Sequence, residues 1–180
     1  MVTIETVHDG LRGMYRDVLR DSGGREKWDR GWQSNAIATN CHALLAGFMA
    51  GAPTTSSGIQ GILLGQGLDA WDVSGAPPAT PAQTALVDPH PFLVPRSALQ
   101  FSFLVGSTPS GQPTNRLQIV ATVGPNVPNW PDVNHASGNL REFALVAQLN
   151  GATTLVNYVT HPVIVKDPAS TLTRTIWLVF

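Results

Sequence analysis

Cysteine is nearly missing from this 180-residue chain, where Cys41 stands alone. A single thiol excludes an internal disulfide and any zinc site built on cysteine pairs. It fits a reducing compartment, or an assembly held by contacts rather than bridges. Charge is also scarce. Asp, Glu, Lys and Arg make up 13% of residues, about half the usual share, and the formal net charge is −1. Eleven Lys and Arg residues can hardly build the basic patch that nucleic acid or an anionic membrane surface requires, so neither is an expected partner. No apolar run nears the ~18 residues of a membrane span. The acidic, alternating start MVTIETVHDG has no signal-peptide character. The expectation is a soluble protein made in a cytoplasm.

Turn-formers, in contrast, are plentiful: 17 Gly and 14 Pro accompany 43% hydrophobic residues. Residues 2–7, VTIETV, alternate as a half-buried strand does. In MYRDVLRDSGGREKWDRGWQSN (14–35), Gly23 and Gly24 supply the turn of a hairpin whose second strand carries Trp28 and Trp32. The stretch 36–50 predicts a helix, capped by Thr39 or Asn40. Leu44, Leu45, Phe48 and Met49 lie on one of its faces, and Gly51 and Pro53 end it. An apolar strand over 58–67 follows. Prolines at 77, 78, 81, 89 and 91 then break up residues 68–95, which read as a long exposed arm or loop.

Beyond Pro95 the pattern is all strand: 97–105, 115–123, 140–149, 153–165 and 171–180. Asn150–Gly151 is a strong hairpin signal. The turn at Lys166-Asp167-Pro168 is expected to pair the last strand antiparallel with NYVTHPVIV. That last strand ends Ile176, Trp177, Leu178, Val179, Phe180, apolar on both faces, as a central or subunit-covered strand would be. The fold class that follows is mainly β. It is an antiparallel β-sandwich of five or six strands forming one domain over 1–180, with one α-helix in the N-terminal half (hairpin and helix at about 14–50) and long Pro-rich loops.

Chemistry-bearing constellations are few. His42 has Ala46 as its i+4 neighbour, and His90 and His161 precede prolines that hold the backbone extended. His135 beside Asp132, and His8 beside Asp9, read as surface pairs. Cys41 reads as a small packed residue, and GILLGQG lacks the order of a phosphate-cradling loop. Asp69 and Asp72 flank Trp71 and read as a turn before a calcium site. No catalytic residue, cofactor or metal ligand is nominated. Trp71 and Trp130, each on a proline-stiffened loop, are candidates for a partner contact or a sugar stack. The expected assembly contacts are Trp71, Pro77, Pro78, Pro91, Phe92, Trp130, Trp177 and Phe180.

Several segments in order carry a resemblance: RGWQSNAI leading into a helix, ILLGQGLDAWD, GQPTNRLQIVATV, LREFALVAQLNG and VNYVTHPVIVKDPASTLTRTIWLVF. From about Trp28 to Phe180 the chain resembles a family of small structural proteins encoded with contractile phage tails and phage-tail-like injection systems. Their members look similar to the particle-proximal parts of tail-fibre and baseplate proteins. Ala144 and Val146 stand where that family tends towards Gly and Phe. The resemblance implies a component of a virion or injection particle, made in the bacterial cytoplasm. It would be a homo-oligomer that docks on other tail, baseplate, fibre, neck or capsid subunits and carries no catalytic residue. Alternatives are a carbohydrate-binding module, with Trp71, Trp130, Asp69, Asp72, Asp132 and Asn134 reading a glycan; a capsid decoration protein; and a hydrolase using Asp69 and Asp72.

Overall fold

A computed structural model describes residues 10–51 and 56–180, so the strand expected over 2–7 lies outside the described residues. The elements are β1 (Arg12–Arg20), β2 (Glu26–Ile37), α1 (Thr39–Met49), β3 (Ser57–Gly65), α2 (Trp71–Ser74), β4 (Phe92–Pro95), β5 (Leu99–Val105), β6 (Thr108–Ser110), β7 (Arg116–Val123), β8 (Asn139–Leu149), β9 (Ala152–Leu155), β10 (Asn157–Val165) and β11 (Thr171–Val179). The fold is mainly β and antiparallel, with eleven strands where the sequence suggested five or six. Three of the additional strands are short: β4, β6 and β9 hold four, three and four residues.

Hydrogen bonding links the strands in the order β4-β3-β8-β10-β2-β1-β11-β7-β5-β6, with β9 added on β8. The path folds back on itself. Among the described residues, β2 and β10 join through only two residue pairs, Ile37 with Asn157 and Ala36 with Tyr158. On either side of that narrow join the half-sheets face each other across the core. Tyr15 of β1 meets Phe143 of β8 edge-on at 5.2 Å. At the other corner the chain crosses from β4 to β5 through a short 3-10 turn (Arg96–Ala98). There Arg96 donates to the Ile59 carbonyl and lies over Phe101. The edge strands β4 and β6 carry Pro95 and Pro109, which offer no amide donor to a further strand.

Local signals were followed closely at the turns. The first hairpin turns at Ser22–Gly24, and the β8–β9 turn has positive φ at both Asn150 and Gly151, the backbone that an Asn-Gly hairpin needs. The helix is shorter than 36–50. Ala38 caps it without a side-chain bond, because the Thr39 hydroxyl donates instead to the Pro81 carbonyl. Its expected apolar face is only partly used: Cys41 and Leu44 are buried, while Phe48 and Met49 stay exposed. Burial pushes the Cys41 thiol up to about 11, which suits a packed residue.

Two expectations are corrected. The final strand does not pair with β10. β11 lies between β1 and β7, in register from Arg12–Val179 to Arg20–Thr171 and from Leu172–Val123 to Val179–Arg116. The 166–170 turn carries the chain from one half-sheet to the other. Lys166 is spent there on the Gly124 and Ser170 carbonyls. Residues 68–95 are not a free arm. They contain α2 and β4, and they cover the outer face of β8. Phe143, Leu145 and Ala147 of β8 enter the main core. Ala144 and Val146 enter a smaller one with Ala38, Leu86, Leu155 and Tyr158, against which Ala79 packs. Burial on both faces explains why FALVA is apolar without alternating.

One charged side chain of β11 points inward. Arg174 faces Asp17 of β1 in register, and both are fully buried. Arg174 Nε and Nη2 donate to the two Asp17 oxygens at 2.7 Å each, and its guanidinium lies 3.7 Å from the Phe143 ring centroid. His161 Nδ1 meets the Pro162 carbonyl at 2.9 Å, so it carries the proton. Nε2 is then left to accept from Arg174 at 3.1 Å. Burial, and then Arg174, push His161 down to about 3. Burial opposes ionisation of Asp17, yet Arg174 outweighs it and holds the carboxyl below its usual range.

Two outcomes follow. A chain stopped at Thr175 loses the buried Ile176 and Leu178 from a strand paired on both sides, and should show no cooperative unfolding by circular dichroism. A folded, soluble truncation would sink that claim. His161 is depressed in the fold, so its contribution is complete above its unfolded value of about 6.5 and is lost as pH falls towards 3. Depressed Asp17 adds a further loss at lower pH. Unfolding free energies from urea titrations should fall between neutral and acid pH by on the order of a few kcal/mol, and His161→Gln should flatten the upper part of that fall.

Candidate functional site

The two tryptophan loops meet at one end of the sandwich, where β3, β7 and β8 hand over to the segments 66–91 and 124–138. The centre of this region is Glu142, opposite Gly65 in the β3–β8 register and fully buried. A Cβ at Gly65 would lie 2.7 Å from the Glu142 side chain, so glycine makes room for it. Glu142 accepts from the Asp88 amide at 2.7 Å, the Val87 amide at 3.0 Å and the Tyr158 hydroxyl at 2.6 Å. Burial and this carboxylate push the Tyr158 hydroxyl far above its ordinary value.

Asp88, positioned by Glu142, is the next link. Its carboxylate accepts from the Gln66 amide at 2.7 Å and the His90 amide at 2.8 Å, and meets His135 Nε2 at 3.1 Å. The other ring nitrogen of His135 meets Asp132 at 2.8 Å, and Trp130 stacks on the ring at 3.8 Å. Asp132 also accepts the Asn134 and His135 amides. Burial opposes its ionisation, but these donors outweigh it and hold the carboxyl below the usual range. Gln66 closes the circuit by donating to the Ser137 carbonyl and hydroxyl.

Arg141, next to Glu142 on β8, fixes α2. It donates to both Asp72 oxygens at 2.8 and 2.7 Å, pairs with Asp69 at 2.9 Å and donates to the Gln66 carbonyl. Arg141 therefore holds Asp72 below its usual range. Gly67 takes φ +60°, and a Cβ there would strike the Trp71 ring at 2.5 Å. The indole thus lies flat against the chain that leads to it.

Several expectations change at this site. Trp71 and Trp130 are buried against their own domain and present no aromatic face to a partner. His135 is 3% exposed rather than a surface residue, because Asp88 reaches it from a distant loop. Asp69 and Asp72 converge on Arg141 instead of forming an acid pair. Pro77 and Pro78 are exposed; Pro91 and Phe92 are half-buried, with Phe92 paired to Leu64 in β4. Trp177 is half-buried on the outer sheet face, against Trp32 with ring centroids 4.0 Å apart at a 38° tilt and bonded to Gln118, while Phe180 is exposed. The sequence analysis missed Gln66, Asp88, Arg141 and Glu142. The one visible signal was an Arg-Glu pair opening an otherwise apolar strand.

No family model matches the chain, and no curated protein or solved structure does either. Geometry alone therefore describes the site. Its carboxylates, guanidinium and imidazole are spent on one another. Among the described residues no group of three or more His, Cys, Asp or Glu side chains is placed to hold a metal ion. The region's exposed apolar side chains are Leu68, Val73 at 95% exposure and Val133 at 96%, and they stand among exposed polar groups such as Asp69 and Asn134. A cavity of about 760 Å³ lies at the opposite end, lined by Leu11, Met14, Asn35, His42, Arg116 and Val179, with no tryptophan in its walls.

If Arg141 organises α2, Arg141→Met should release residues 66–75. Amide exchange there should rise, and stability should drop by about 2 kcal/mol, the scale of hydrogen bonds to charged groups. The loss stays modest because Asp69 and Asp72 regain water. An unchanged exchange pattern would show that packing of Trp71 alone holds the segment.

Proposed function

We propose that the protein is a structural subunit of a phage tail or phage-tail-like injection particle, acting by protein–protein assembly with itself and with neighbouring tail, baseplate, fibre-attachment or neck subunits. The observation that carries this reading is the pairing of rigid loops with exposed aliphatic tips. Val73 and Val133 stand almost fully in solvent, on segments pinned from beneath by Arg141, Glu142 and Asp88. An apolar surface held rigid before contact loses little entropy on docking. Exposed valines on ordered loops of a chain with few charges suit a protein partner better than a charged ligand. The ordered resemblance from about Trp28 to Phe180 supports a particle component of this kind.

Glycan binding is less well supported. The two tryptophans that would have stacked on a sugar are turned inward, and the acidic residues beside them are engaged with Arg141 and His135. A capsid decoration role would use the same docking surface on a different layer of the particle.

The test is assembly itself. Light scattering should find an oligomer, and the protein should co-sediment with reconstituted tail or baseplate subunits. Val73→Asp and Val133→Asp should each weaken association by about tenfold or more, the scale of a contact worth over 1 kcal/mol, and leave the unfolding temperature unchanged. A monodisperse monomer that binds no tail or capsid subunit would overturn the reading.

A further inference from the structure

His135 lies between two carboxylates that come from different parts of the chain. Its Nδ1 is 2.8 Å from Asp132, three residues earlier in the same loop. Its Nε2 is 3.1 Å from Asp88, in the segment before β4. A neutral imidazole has one N–H and one bare lone pair, so it can donate to only one of these groups. The second contact then sets a lone pair against carboxylate oxygen, and at the Asp88 end both side chains are almost fully buried. With both carboxylates ionised, both contacts are hydrogen bonds only when the ring carries two protons.

We propose that His135 is a proton-dependent clasp: the doubly protonated ring ties the 124–138 loop to Asp88, and loss of one ring proton releases the tip of that loop.

The surrounding groups decide which link opens. Asp132 is held within its own loop by the Asn134 and His135 amides, and its own amide donates to the His135 carbonyl. That contact is local and survives. Asp88 belongs to the other segment, where the Gln66 and His90 amides hold it and Glu142 anchors the Val87 and Asp88 amides. Arg141 faces Gln66, Asp69 and Asp72 rather than Asp88. Among the described residues no Lys or Arg donates to Asp88 or Asp132, so the ring is the cation that joins them. Trp130 stacks on the ring from its place in the main core, so its fluorescence reports the ring's charge. The base of the loop has separate ties that do not titrate with the ring: the Asn126 amide to the Pro168 carbonyl, Lys166 to the Gly124 carbonyl, and Gln66 to Ser137. Pro128 and Trp130 stay buried, so release is confined to about residues 131–135, the stretch that carries the exposed Val133.

The test is NMR of the full chain, titrated from about pH 5 to about pH 9 or higher, the range around which histidine rings change charge. Ring ¹⁵N shifts of His135 are read beside amide exchange of residues 132–135 and Trp130 fluorescence. Both ring nitrogens should carry protons wherever the loop is protected. Loss of one should coincide with about tenfold or faster exchange, as expected for one lost hydrogen bond, and with a change in the Trp130 signal. Asp88→Asn should uncouple the two, because an amide can donate to a bare Nε2 and keep the loops joined with a singly protonated ring. Three results would each overturn the proposal: a singly protonated ring in the protected loop, exchange that ignores the ring's titration, or an Asp88→Asn protein with the same pH-dependent release.

Discussion

A carboxylate and a guanidinium face each other at the centre of this sheet, and neither touches water. Asp17 and Arg174 are matched in the β1–β11 register, so their pairing fixes the alignment of the two strands. A slip of one residue would turn Arg174 outward and leave Asp17 buried without a partner, an error far larger than the cost of any single exposed apolar group. The pair also reaches across the core. Arg174 lies over Phe143 of the opposing half-sheet and donates to His161 on β10, which holds the two halves at a defined separation. Apolar contacts supply most of the burial here, and this polar group supplies the alignment.

The same device recurs at the loop end with other residues. Glu142 receives the Val87 and Asp88 amides and Arg141 the Asp69 and Asp72 carboxylates, two separate stretches of the 66–91 segment, and both side chains start from adjacent positions on β8. Consecutive residues of a strand point to opposite faces. One strand can therefore organise two stretches at once, provided both faces are covered. The cover over one face is the proline-bearing segment itself, through Ala79 and Leu86. Loop and strand thus depend on each other: the segment buries the strand's polar side chains, and those side chains hold the segment in place.

Much of the fold was legible because it is local. The Ser-Gly-Gly and Asn-Gly turns, the alternation in β5, β7 and β11, and the existence of the helix all rest on residues close in sequence. The partner of β11 was not legible, since any antiparallel neighbour satisfies the same alternation. What decides it is the match of Asp17 to Arg174 across 157 positions. Prolines in 68–95 were read as exposure, but proline forbids only ladder bonding and says nothing about whether a segment is covered. At the loop cluster, Asp132 beside His135 was visible, whereas Asp88, 47 residues from His135, was not. That second carboxylate changes a surface pair into a buried bridge.

The edges of the sheet have a consequence for how copies of this molecule can grow into anything larger. β4 and β6 are short, and each contains a proline, which has no amide to offer an incoming strand. Backbone pairing cannot pass from one molecule to the next along those edges. Across these two edges, copies of the protein meet as discrete bodies touching through side chains. There they can separate or re-register without breaking a continuous ladder, and growth across them is set by surface complementarity rather than by templated strand addition.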